Sequence, residues 1–82
     1  MNREHILLTI INSIKEIKPE HEDRTFSGSD SMADDLGADS VERSEIIMMT
    51  LQELDLRIPL VETYGPKNIG ELAELLALKM QA

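Results

Sequence analysis

Ser40 ends the run Asp34-Asp35-Leu36-Gly37-Ala38-Asp39, and an amphipathic segment begins directly after it. A serine hydroxyl offers two kinds of chemistry. It can attack a substrate, but only with a base within hydrogen-bond reach. The two histidines, His5 and His21, are both distant in sequence from Ser40. Nothing in their spacing pairs either with it, so no catalytic residue is expected. The second kind is esterification. A phosphate ester at the first position of a helix meets unpaired backbone N–H groups and the positive end of the helix dipole. The structural alternative is capping, by Asp39 or by Ser40, with Glu42 completing a capping box from Asp39. The two roles are compatible if Asp39 caps and Ser40 takes the first helical position.

The acids around Ser40 do not make a metal site. A twelve-residue calcium loop counted from Asp30 puts Met32 at position three, Asp35 at the glycine position and Val41 at the closing glutamate. No dedicated metal ligation is expected.

The helix after Ser40 has two distinct faces. At about 100° per residue, Ile46, Thr50, Leu54, Ile47 and Leu51 share one broad arc, which is the core face. Met48 and Val41 lie about 160° and 140° from Ile46, on the side of Glu45 and Gln52. Two apolar side chains are thus expected in solvent on an acidic face beside Ser40. Isolated exposed apolar residues are common, but methionine is also an adaptable contact for partners. Met49 falls at the core edge.

These residues need a scaffold, and the chain supplies a helical one. Ile6, Leu7, Ile10, Ile11, Ile14 and Ile17 recur at helical spacing. Asn2 is the expected cap and Pro19 the stop, so a first helix is expected from about Arg3 to Lys18. Pro19 to Asp35 reads as a long loop anchored by Phe26 and Met32. The helix from Ser40 ends near Leu54, before the Ile58-Pro59 break. Leu60 to Tyr64 forms one short turn. Asn68 caps the last helix with Glu71 three residues on, and Ile69, Leu72, Ala73, Leu75, Leu76 and Met80 form its apolar face. The expected fold is all-α, a small up-and-down bundle of three main helices plus one short helix.

Composition narrows the function classes. Eighty-two residues allow one small domain over 1–82, with little room for a deep pocket beside a core. There is no cysteine, which excludes disulfides and thiolate metal sites and fits a reducing cytoplasm. No apolar run is long enough for a membrane helix, and the start lacks the regions of a secretory signal. The net charge is −8, with −6 of it in residues 34–82. Nucleic acid is therefore not an expected partner, whereas basic protein surfaces are. A monomer is expected.

Asp35-Leu36-Gly37-Ala38-Asp39-Ser40-Val41 resembles the Asp-Leu-Gly-x-Asp-Ser-Leu motif of acyl carrier proteins. The likeness extends through Glu45, Met48, Glu53-Leu54-Asp55, Ile58-Pro59 and Asn68-Ile69, without a gap from Asp35 to Leu76. The resemblance implies a 4'-phosphopantetheine arm on Ser40, added from coenzyme A by a phosphopantetheinyl transferase, with acyl groups held as thioesters. It also implies docking onto enzymes through Val41, Glu42, Arg43, Glu45 and Met48. Val41 in place of leucine, Arg43-Ser44, and Leu54 in place of an aromatic depart from the fatty-acid type. With Ile58-Pro59-Leu60-Val61-Glu62 and Lys67-Asn68-Ile69-Gly70-Glu71-Leu72, the chain is most similar to the discrete donor carriers of polyketide β-branching. That implies an acyltransferase, a decarboxylating ketosynthase-like enzyme and a hydroxymethylglutaryl-synthase-like enzyme as partners. The alternatives are a general fatty-acid or peptide-synthesis carrier, and an acidic helical interaction module in which Ser40 only caps.

Overall fold

The computed structural model describes residues 2–81. Three helices form the scaffold: α1 (Arg3–Ile17), α2 (Ser40–Leu54) and α3 (Ile69–Gln81). Two short 3-10 turns, Pro19–His21 and Leu60–Thr63, lie between them, and the described residues contain no strand. The expected all-α architecture is present. Among the described residues, no helix is long and apolar enough to cross a membrane.

α1 starts where Asn2 Oδ1 accepts from the His5 amide at 2.8 Å. It stops one residue before the expected end, with Lys18 as its C-cap donating N–H to Ile14 O. The stop follows from Pro19, which cannot donate to the preceding turn. Ile6, Ile10 and Ile14 are fully enclosed and face the buried stripe of α2, Ile46, Ile47, Thr50, Leu51 and Leu54. The buried Thr50 hydroxyl donates to Ile46 O at 2.8 Å, so no polar atom is stranded there. α2 ends at Asp55, whose left-handed backbone (φ 51°) returns its N–H to Leu51 and Gln52 carbonyls. Ile69, Leu72, Ala73 and Leu76 of α3 close the core, with Leu75 and Met80 half-buried at its margin.

The segment from Pro19 to Asp39 is more firmly held than two anchors would make it. Met32 is buried as expected, but Phe26 is only half-buried, with the Lys15 and Arg24 cations over its ring. Leu36 and Ala38 supply the remaining apolar anchors. Its acids serve the turns. Asp30 Oδ2 accepts from Ser27 N at 2.9 Å and Asp35 Oδ2 from Ser31 N at 2.7 Å.

The same segment caps α3. Ile69 N donates to Asp30 O at 3.0 Å and Gly70 N to Gly28 O at 2.8 Å. Asn68 accepts the next two amides, Glu71 N on its side chain and Leu72 N on its carbonyl. The four first-turn donors of α3 are therefore all paired. The expected box at Asn68 is half-formed, because Glu71 Oε1 returns to the Lys67 amide at 3.0 Å, one residue earlier.

Candidate functional site

The site is built where the long loop turns into α2. Ser31 O accepts from both Asp35 N and Leu36 N, and Met32 O from Ala38 N. Leu36 and Ala38 point inward, and Gly37 between them takes φ 67°, a left-handed conformation that side chains rarely adopt. His21 Nε2 bonds Leu36 O at 2.8 Å. The ring is thus engaged in holding the loop, and His5 belongs to the opposite end of α1.

Asp39 then caps α2 in a complete box. Its Oδ1 accepts from Glu42 N at 2.8 Å, and Glu42 Oε1 accepts from Asp39 N at 3.1 Å. Ser40 follows at the first helical position, exposed. Among the described residues, the amides of Ser40 and Val41 have no protein acceptor. An outward hydroxyl beside two unpaired donors at a dipole's positive end suits a phosphodiester on that hydroxyl. The cap and the exposed hydroxyl belong to separate residues, so capping leaves the hydroxyl unused.

The structure puts Val41, Met48, Glu45 and Gln52 in solvent, on the side where helical spacing puts them. Val41 is 64% and Met48 47% exposed, and Met49 is half-buried. Arg43 is exposed too, although spacing puts it about 60° from Ile46, on the core arc; it sits in the first turn of the helix. Arg43 has no ion-pair partner among the described residues. Glu42 is placed differently from its neighbours. It is half-buried, and its second oxygen, Oε2, accepts from Lys18 Nζ at 3.2 Å. Both of its oxygens are used inside the protein.

Lys18 is only 7% exposed and also pairs with Glu20 Oε2 at 3.0 Å. Bonding to Glu20, then to Glu42, holds the amine above lysine's ordinary 10.5. Glu20 is held below its ordinary 4.5 by a backbone N–H and then by Lys18. A raised amine pKa contributes stability in full below pH 10.5, lost as pH rises through the folded value. A lowered carboxyl pKa contributes above pH 4.5, lost as pH falls through the folded value. The difference in melting temperature between wild type and Lys18→Met should therefore be level between those limits and shrink outside both. Melts followed by circular dichroism across pH test this, and a difference that grows in alkali would contradict it.

Two further exposed residues escape the sequence reading. Val61, within the short turn before α3, and Tyr64, its C-cap, are 67% and 59% exposed. An open groove of about 350 Å³ runs from Ser40 past Arg43 and Ser44 to Thr63, Tyr64 and Pro66. Four residues in a 3-10 turn carry no periodicity from which exposure can be read.

Comparison with known proteins agrees with this geometry. Residues 6–76 match the family described as phosphopantetheine attachment site. The polyketide biosynthesis acyl-carrier-protein AcpK of Bacillus subtilis (strain 168) is 46% identical over 82 residues, spanning 100% of this chain and 99% of that protein. An acyl carrier protein of Clostridium perfringens (strain 13 / Type A) is 42% identical over 43 residues, 52% of this chain and 57% of that one. Among solved structures, a chain from the crystal structure of the curacin biosynthetic pathway HMG synthase in complex with acetyl donor-ACP superposes with a TM-score of 0.91. It is 49% identical, and the match covers 95% of this chain and 99% of that one. A motif ending in an exposed serine, a helical frame that presents it and a family match across most of the sequence lead to one conclusion: this chain belongs to the phosphopantetheine-attachment family, the acyl carrier proteins.

Proposed function

We propose that Ser40 is the attachment residue and that the chain carries malonyl and acetyl groups for polyketide β-branching. The observation that carries the attachment is the exposed Ser40 hydroxyl beside the unpaired Ser40 and Val41 amides, with Asp39 already serving as cap. Ser40 Oγ takes the phosphopantetheinyl group of coenzyme A in a reaction catalysed by a separate transferase. The Oγ–P bond forms as Oγ loses its proton to solvent, the pyrophosphate bond of coenzyme A breaks, and the nucleotide half leaves with the second phosphate. When bound, the arm supplies a terminal thiol that holds acyl groups as thioesters, the thiol a cysteine-free chain lacks. The chain itself contributes no catalysis. Incubation with coenzyme A and a broad-specificity transferase should add one arm per chain by intact mass. An unmodified product would sink the reading.

The β-branching assignment is supported by likeness to AcpK along the whole chain and to the chain seen with the curacin HMG synthase. An acyltransferase loads the carrier, a decarboxylating ketosynthase-like enzyme converts malonyl to acetyl, and a hydroxymethylglutaryl-synthase-like enzyme receives it. Docking uses Val41, Arg43, Glu45 and Met48, with Val61 and Tyr64 continuing the surface past the groove. Glu42 contributes charge to this face, but its oxygens are turned to Asp39 and Lys18.

Met48→Ala and Glu45→Lys should each weaken binding to the synthase-like partner by about fivefold or more, the scale of one contact above 1 kcal/mol. The helical circular-dichroism signal should be unchanged, because both side chains lie outside the core. Calorimetric titration measures this, and wild-type affinity in both variants would remove α2 from the interface.

A further inference from the structure

The capping box beside Ser40 is tied to a cation at the end of another helix. Lys18 Nζ reaches Glu42 Oε2 at 3.2 Å and Glu20 Oε2 at 3.0 Å. Glu42 Oε1, on the same carboxylate, holds the amide of Asp39 at 3.1 Å, and that residue's carbonyl carbon is bonded to Ser40 N. Three links therefore join a buried lysine at the C-cap of α1 to the peptide that carries the serine. The turn following Lys18 grips the other side of the loop, where His21 Nε2 meets Leu36 O at 2.8 Å.

We propose that Lys18 is a positioning residue for arm attachment: it fixes the Glu42 carboxylate against Asp39, so that Ser40 is held in one orientation for the transferase. This rests on the reading of Ser40 as the attachment residue.

The physical reason is the freedom of a box glutamate. At an exposed third position a glutamate side chain samples several rotamers, and the Asp39 amide is left to water whenever it swings out. Glu42 is withdrawn from that exchange, since its second oxygen is anchored to a side chain that is itself enclosed. The Lys18 ammonium is in turn oriented by Glu20, so the charge on Glu42 has a fixed counterpart. An ordinary ion pair between helices would stabilise the bundle as a whole. This one ends on the residue next to the hydroxyl.

Three variants separate the two possibilities: Lys18→Met, Lys18→Arg and Glu42→Gln. The first readout is hydrogen exchange of the Asp39 amide in the unloaded protein, followed by NMR. The second is KM and kcat for loading by a transferase with coenzyme A. Lys18→Met should speed Asp39 exchange about two- to tenfold, the scale of one net hydrogen bond. KM for the carrier should rise by a similar factor with kcat nearly unchanged, and Lys18→Arg should restore both. Glu42→Gln keeps an oxygen for Asp39 but weakens the hold of Lys18, so adding Lys18→Met to it should change little further. Wild-type exchange and KM in folded Lys18→Met, or effects that simply add, would overturn the proposal. If Lys18→Met does not fold, Glu42→Gln decides by the same exchange measurement, and an unchanged Asp39 rate overturns it. If wild type takes no arm, the attachment reading falls, whereas faster Asp39 exchange still upholds the hold of Lys18 on the box.

Discussion

Ser40→Ala is expected to take up no phosphopantetheine, while wild type takes one arm per chain. The effect is complete because the ester needs an oxygen and alanine has none. The fold should survive. Asp39 provides the cap, with its side chain on the Glu42 amide and its amide on the Glu42 carboxylate. Ser40 is exposed and loss of its hydroxyl leaves both bonds of the box in place, so stability should change by about 0.5 kcal/mol or less. Asp39→Ala is the informative opposite, since it keeps the hydroxyl and removes the cap, at a cost of about 0.5–2 kcal/mol. Intact mass and thermal melts on the two variants separate chemistry from capping. An arm on Ser40→Ala would place the attachment elsewhere, and a melted Ser40→Ala would return the serine to a structural role.

Gly70→Ala is expected to lower the melting temperature strongly, although alanine is the better helix former. On propensity alone the change in α3 would stabilise by about 0.5–1 kcal/mol. Tertiary packing opposes it. A Cβ at position 70 would stand 2.7 Å from Gly28 O and 3.2 Å from an Arg3 guanidinium nitrogen. The arginine can move, but the carbonyl cannot move freely, because it accepts the Gly70 amide at 2.8 Å. Relief of the clash therefore breaks the loop's attachment to α3. Overpacking of this kind costs about 1–3 kcal/mol, and each kcal/mol lowers the melting temperature of a domain this size by about 4–8 °C. A thermal melt decides between the two effects. A variant at least as stable as wild type would mean that the loop is not needed at that helix end.

The site and the helices that carry it were legible in sequence to different depths. Asp39 as cap, Glu42 as its reciprocal partner, and Val41 and Met48 in solvent all follow from residues within a few positions of one another. Spacing puts Glu42 about 40° from Ile46, at the core edge, but does not show what its second oxygen meets. Val41 and Glu45 lie on the solvent side of the acidic helix, and only the lysine that ends α1 fixes the inward Glu42 carboxylate. The loop is a similar case. Its polar composition predicts an irregular segment, but not that two of its carbonyls would take the first amides of α3. Backbone acceptors have no sequence signature.

By itself the sequence determined the three helices, their apolar faces and the local placement of Ser40, because caps, breaks and periodicities act between residues at most a few positions apart. The tertiary structure alone decided what meets across the chain: Lys18 with Glu42, His21 with Leu36, Gly28 with Gly70, and Tyr64 with the groove from Ser40. Those pairings depend on how helices pack and which way a loop crosses them. The sequence thus specifies a serine at a helix mouth, and the packing specifies how firmly that mouth is held.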